Sequence, residues 1–406
     1  MYGNYRFFAL QLFPCMEEKS TQLWTPYFIY AWLAYFFMAF SFYLLTAVLP
    51  FYLLKRFAAG ETMIGVVMST YIVAALLTRP YSGFLVDSFS RKPVYLLSYF
   101  FFITLFAGYM IAGSILLLLL LRFLHGISWG LTATAGNTLA IDIMPPSRRG
   151  EGLGVFGLSN NLAMAIGPMV GLFLYEQFNL NWAFFVALVT GILGFITVIL
   201  IKVPVKPKVV HDKALSLDRF ILVKGIPIGI NLILIAVSWG MLLSFAALYG
   251  TRMGVKGAGV FFTLMAVGIG ASRIIAGRHV DRGRIHHMSL AGTLILGISF
   301  TVFALFPVPV IYLCSAFAIG VGFGIIFPSY QNIFINLAPH NQRGTANATY
   351  LSSFDIGVGL GMLISGWAAE AISLSAAFLI GAGFVLIAFL LYARISRPFY
   401  DKNKLE

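Results

Sequence analysis

Twelve apolar runs, each long enough to cross a bilayer, divide this chain almost from end to end. A membrane-spanning helix needs about 20 consecutive apolar residues. The runs fall at 27–54, 62–86, 93–112, 114–140, 151–175 and 182–203, then at 225–249, 257–277, 288–306, 308–336, 345–370 and 373–394. Backbone N–H and C=O groups in hydrocarbon must be satisfied within the spanning structure, which leaves helices or closed barrels. Runs of this length predict an all-α membrane protein of twelve transmembrane helices.

Composition enters to exclude the rivals. Charged residues are 10% of the chain and hydrophobic ones 60%. Soluble domains carry about 25% charge, so too little polar surface exists here to face water, and a lipid bilayer is expected around the chain. A net charge of +13 in a soluble protein would suggest nucleic acid. Here the positive charge lies in short loops. With the helices numbered 1 to 12 and both termini placed in the cytoplasm, cytoplasmic loops and tail hold 18 Lys and Arg, against four outside, Lys55, Arg56, Arg252 and Lys256. That asymmetry is the positive-inside pattern, and no nucleic-acid partner is expected. Cys15 and Cys314 are the two cysteines; they offer neither metal-ligand spacing nor a disulfide framework, so no metal and no cofactor is expected. No phosphate-binding loop of the Gly-x-x-x-x-Gly-Lys-Ser/Thr type occurs, which argues against direct ATP drive. No Ser–His–Asp cluster or paired carboxylates can be placed together, which argues against an enzyme.

Five segments are expected: a leader over 1–24, a six-helix half over 25–203, a cytoplasmic linker over 204–224, a second six-helix half over 225–397, and a cytoplasmic tail over 398–406. A start at Met16 would leave a compact polar leader before the first span. The first fifteen residues are then an extension or a disordered stretch.

The two halves match each other at a shift of 194 residues. Arg79, Gly83 and Asp87 fall on Arg273, Gly277 and Asp281. Gly126 and Gly130 fall on Gly320 and Gly324, Pro145 and Arg149 on Pro339 and Arg343, Gly167 on Gly361, and Glu176 on Glu370. These are rare residue types in an apolar chain, so one register linking them signals two six-helix pseudo-repeats. Parallel repeats related by an axis along the membrane normal place a site between halves near the midplane.

Three motifs carry a family resemblance over about residues 24–397. Between helices 2 and 3 stands Gly83-Phe-Leu-Val-Asp87-Ser88-Phe-Ser90-Arg91-Lys92, with a shorter copy from Gly277 through Asp281 to Arg284. Helix 4 holds Arg122-Phe-Leu-His125-Gly126, and helix 5 holds Gly157 followed by Gly167-Pro168-Met-Val-Gly171. The first resembles the Gly-x-Leu-Ala-Asp-Arg-x-Gly-Arg-Lys loop of the major facilitator superfamily, with Ser88 and Ser90 in place of Arg and Gly. The second is similar to its Arg-x-x-Gln-Gly pattern, with His125 at the Gln. The third resembles the Gly-Pro-x-x-Gly-Gly signature of the antiporter branch, with Leu172 at the last Gly. The resemblance implies a major-facilitator-like fold and transport of a small molecule. It also implies that Asp87 accepts from the N-terminus of helix 11 and latches the halves. Gly83, Arg91, Asp142, Arg149, Gly277, Asp281 and Arg343 are expected to share in that conformational gating. A loop carboxylate paired with Arg91 or Arg149 is the plain alternative. The helix 5 motif, Gly157, Gly167, Pro168 and Gly171, is expected to limit leak by tight packing; an ordinary proline kink is its alternative.

Arg122 is the only Lys or Arg expected deep within a span, and a charge there is costly and marks function. His125, three residues on, shares its face and can titrate near neutral pH. Asp355 in helix 11 is the one carboxylate expected well inside a span, a proton site or a counter-charge for a cationic substrate. Helix 1 has no charged residue in its apolar run, so proton coupling is assigned to Arg122, His125 and Asp355. Asn160, Asn161, Asn231, Trp239, Gln331 and Asn332 are candidate cavity-lining residues. Glu176 and Glu370 are read as helix ends at the outer face.

The reading is a secondary transporter, a monomer in a bacterial plasma membrane, exporting a small organic solute in exchange for protons by alternating access. An uptake symporter for a sugar, organic acid or other nutrient keeps the same fold with the direction reversed, since fold does not fix function. A non-transporting membrane sensor or assembly factor would have no use for the intramembrane charges.

Overall fold

The structure is a computed structural model that describes residues 22–145, 148–203, 221–257, 259–281, 284–339 and 342–405. The leader up to 21 and linker residues 204–220 lie outside the described residues, as do the side chains of Asp87, Arg149, Asp281 and Arg343 and the surroundings of Gly277.

The first half is built of α1 (Pro26–Phe57), α2 (Glu61–Ser88), α3 (Arg91–Ile111), α4 (Ile115–Ile143), α5 (Arg149–Gln177) and α6 (Leu180–Leu200). The second holds α7 (Ile226–Arg252), α8 (Val260–Asp281), α9 (Ile285–Leu305), α10 (Pro309–Asn336), α11 (Arg343–Ala371) and α12 (Leu374–Leu391). A π-helical turn at Tyr392–Ser396 carries α12 into the short α13 (Arg397–Asn403). Local chemistry starts these helices where the apolar runs begin. Thr25, Ser114, Asn179 and Ser373 cap the first turns of α1, α4, α6 and α12 through their side-chain oxygens, satisfying donors that would otherwise be orphaned. Among the described residues, eleven helices are long and apolar enough to cross a membrane, and the described apolar part of α8 is a shorter stretch, Val260–Arg273.

Both halves use one packing plan. α1 lies against α5 and α6 as α7 lies against α11 and α12, and α4 lies against α2 and α3 as α10 lies against α8 and α9. α1 and α7 are the innermost helices, with 89% of the residues in their most apolar stretch buried, against 33% in α6 and 39% in α3 and α12. The peripheral helices turn large apolar side chains outward, Leu97 and Phe101 on α3, Ile196 on α6, Ile298 on α9 and Leu386 on α12. An apolar exterior of this kind needs lipid, not water. The chain is therefore an integral membrane protein.

Glycines set the helix spacing where backbones meet. A Cβ on Gly126 of α4 would overlap the carbonyl oxygen of Tyr71 on α2, and one on Gly320 of α10 would overlap that of Met265 on α8. Both pairs are related by the 194-residue shift. Small residues are the usual means of close helix approach in membranes.

Arg91, Lys92, Arg148, Lys224 and Arg284 stand at the helix ends on one side of the bundle, called here the basic face. Contacts between the halves run from the opposite face toward the middle. Arg252 at the end of α7 pairs with Glu61 of α2. Glu370 of α11 accepts from the backbone N–H of Thr62, 2.7 Å away in the first turn of α2. Deeper, Gly65 abuts Met362 and Gly366, and Gly359 abuts Ile72. The matching side is made by Gly259 against Met169 and Leu172 of α5. Glu370, expected as a mere helix end, instead caps α2 across the interface, where a carboxylate is favoured by the helix dipole.

Candidate functional site

The innermost of these contacts is an ion pair. Arg79 on α2 donates to Asp355 on α11, joining the two halves near mid-membrane. Their side chains keep 22% and 21% of their surface accessible, so a cleft between the halves reaches them. Tyr35 and Tyr43 of α1 and Tyr71 of α2 stand within electrostatic reach of Asp355. Asn137 of α4 donates to the Tyr35 hydroxyl at 3.3 Å. Asn160 and Asn161 are half-buried on α5. The ion pair is thus surrounded by phenol rings, two of which are held by the amides of Asn137 and Asn160. Asp355 is already engaged by a cation of the protein, which removes it as a ready counter-charge for a cationic substrate.

Arg122 is wholly buried beside this cleft. It donates to the carbonyl of Met68 at 3.2 Å, and its guanidinium stacks over the rings of Tyr71, 4.4 Å away, and Phe42, 5.7 Å away. Its Nε and Nη1 find no hydrogen-bond acceptor among the described residues. Ring faces offset part of the cost of such a cation. His125 is sealed by Phe42, Phe102 and Phe106, with Nδ1 3.1 Å from the Tyr109 hydroxyl. It touches no water-filled space, so packing against rings is its structural role. Arg122 is not the only cation deep in a span. Arg79 and Arg273 lie well inside α2 and α8, eight or nine residues from the ends at the basic face, and both are half-buried.

At the basic face Arg91 pairs with Asp142 at the end of α4. That pair ties α3 to α4 within one half. Gly83 has open space around it. In α5, Gly167 packs on Tyr43 and Leu44 and Gly171 on Leu44 and Val48, flanking the internal Pro168. The motif therefore clamps α5 onto α1. Gly157 takes no part, because a Cβ there would meet nothing within 4 Å.

Three of the expected lining residues, Asn231, Trp239 and Asn332, stand elsewhere. Asn231 is fully buried; it donates to Ala388 at 2.7 Å and accepts from Tyr330, bonding α7 to α12 and α10. Trp239 is 1% exposed and wedged against Phe323 and Phe327. Asn332 faces a small cavity at the basic face with His286, Asn336, Tyr400 and Asp401. Gln331 is exposed and donates to Asn347 at 3.0 Å. A polar residue in an apolar span must find a partner, and for Asn231 the partner is backbone, not a ligand. Sequence reasoning missed Arg79 and Arg273 as site residues although the repeat register aligned them.

The family model described as Major Facilitator Superfamily matches residues 31–348 and 228–406. The chain belongs to the major facilitator superfamily. An uncharacterized MFS-type transporter of Escherichia coli K12, YhhS, is 26% identical over 368 residues, covering 86% of this chain and 88% of the relative. The staphylopine export protein of Staphylococcus aureus Mu50 is 22% identical over 363 residues, covering 84% and 88%. Among solved structures, the nucleoside transporter NupG superposes with a TM-score of 0.72 at 17% identity, over 90% of this chain and 98% of its own. A bacterial homologue of the human lysosomal transporter Spinster gives 0.76 at 15%, over 94% and 99%. As a major facilitator this chain is a transporter of small molecules, not an enzyme, and the space between its halves is where such a fold holds its substrate.

Proposed function

We propose that this transporter exports a small organic solute in exchange for protons by alternating access, as a monomer in a bacterial inner membrane with both termini in the cytoplasm. The observation that carries the reading is the Arg79–Asp355 pair. It is a mid-membrane carboxylate that a proton can neutralise, set on the seam along which the halves must part. Protonation of Asp355 removes the attraction holding α2 to α11 at that depth, and solute binding and release follow from which side the halves then open. Arg122, fixed one helix away against Tyr71, keeps the field of the site positive and favours the return of the proton to the bulk. The clamp of Gly167 and Gly171 on α1 fits a leak barrier in an exchanger, and the relative named for staphylopine export lends its direction to the reading. Eighteen Lys and Arg in the loops and tail assigned to the cytoplasm, against four in the outer loops, favour cytoplasmic termini.

The test uses purified protein in liposomes holding a pH-sensitive dye, with a pH gradient imposed and amphipathic cations, sugars and organic acids added in turn. Export by exchange predicts that one compound releases protons through the wild type and not through Asp355→Asn or Arg122→Ala. Solute that equilibrates with no proton movement marks a uniporter and overturns the coupling. A solute-driven inward proton current that follows the solute marks an uptake symporter instead.

A further inference from the structure

The seam has two sides, and only one carries an ion pair. α5 and α11 are both 29 residues long and begin 194 residues apart, so Asn161 stands on α5 where Asp355 stands on α11. Arg273 stands on α8 where Arg79 stands on α2. The pseudo-twofold axis therefore relates Arg79–Asp355 to Arg273–Asn161: the same cation, with an amide in place of the carboxylate.

The side chains agree with that vacancy of charge. Arg79 donates to Asp355. The Nε of Arg273 is buried and has no hydrogen-bond acceptor among the described residues, and the titratable group beside it is Tyr350 of α11, a phenol. Asn161 is half-buried and makes no side-chain hydrogen bond among the described residues. One turn from each of them, a Cβ on Gly157 or Gly270 would meet nothing within 4 Å, so the helices leave room there. The middle of the spans thus holds Arg79, Arg122 and Arg273 against the single carboxylate Asp355. Intramembrane charge is costly unless paired, and a guanidinium fork matches a carboxylate or phosphate in shape and charge.

We propose that the transported solute is an organic anion, whose carboxylate or similar acidic group sits between Arg273 and Asn161 in the place that Asp355 fills beside Arg79. This rests on the reading of the central cleft as the transport path. The bound anion completes the pseudo-symmetric pair and draws α5 onto α8 as Asp355 draws α11 onto α2. Asn161, an amide, donates to the anion without competing for the arginine.

The full chain in detergent is titrated with sodium benzoate, sodium acetate, benzamide and benzylammonium chloride, with the thermal unfolding midpoint as readout. At least one of the two anions raises the midpoint saturably, while benzamide and benzylammonium do not. Arg273→Gln weakens the anion response about tenfold or more, the loss of a charge-assisted contact. Asn161→Asp, which supplies the missing carboxylate from the chain itself, raises the midpoint without ligand and abolishes the anion response; it carries the test alone if Arg273→Gln fails to fold. Equal responses to anionic, neutral and cationic probes, or an anion response intact in Asn161→Asp, overturns the proposal. Counterflow of radiolabelled benzoate in liposomes separates the two readings. Saturable binding without counterflow overturns the transport path and leaves the anion site, whereas counterflow of benzylammonium with no anion response overturns the anion site and leaves the transport path.

Discussion

At the scale of single residues, depth in the membrane decides what a polar side chain does. Asn231 and Asp355 are both polar groups in apolar spans, yet one bonds backbone and tyrosine inside a half while the other faces the seam. Sequence alone did not separate them, because each needs a partner and the partners stand 157 and 276 positions away. No local spacing encodes such distances. His125 shows the same limit. Its place beside Arg122 suggested proton traffic, but four aromatic neighbours close it off. His125→Gln should therefore keep solute-driven proton release within about twofold of wild type, where a proton-carrying role would lose it by the 10²–10⁴-fold typical of acid–base groups, roughly. The liposome dye assay above reads the difference.

At the scale of elements, the helices were legible because the apolar runs, the caps and the glycine positions all point the same way. The 194-residue register was the strongest of these signals, and it aligned Gly126 with Gly320 at the two places where backbone meets backbone. What it could not show is which faces of α5 and α11 meet the other half, since helix rotation follows from packing. Gly167 and Gly171 grip α1 within their own half, and Gly157 of the same motif grips nothing. Substitution should sort these glycines. Gly126→Val forces a branched side chain against the Tyr71 carbonyl and should cost about 1–3 kcal/mol, as overpacking does. Gly154→Ala on α5, with open space around it, should stay within about 0.5 kcal/mol, the range of substitutions that touch nothing. Thermal midpoints of the two variants in one detergent make the comparison.

At the scale of the whole molecule, two six-helix halves meet along a seam that is tied at the face opposite the basic loops and at mid-membrane. Glu61–Arg252 and Glu370 on the first turn of α2 hold one end; Arg79–Asp355 holds the centre. The central pair is flanked by Tyr35, Tyr43 and Tyr71, so Asp355 is the group in that wall whose charge a proton removes without first demanding a strong base. If that pair governs rocking, the separation of the halves must follow its charge. Spin labels at Ser90 and Arg284, equivalent exposed positions at the basic face of the two halves, report that separation by pulsed electron resonance once Cys15 and Cys314 are replaced by Ser. The wild type should change its distance distribution between neutral and acid pH, and Asp355→Asn should show the acid distribution already at neutral pH. A wild type indifferent to pH, or an Asp355→Asn variant that responds to pH as the wild type does, would contradict the role given to this pair.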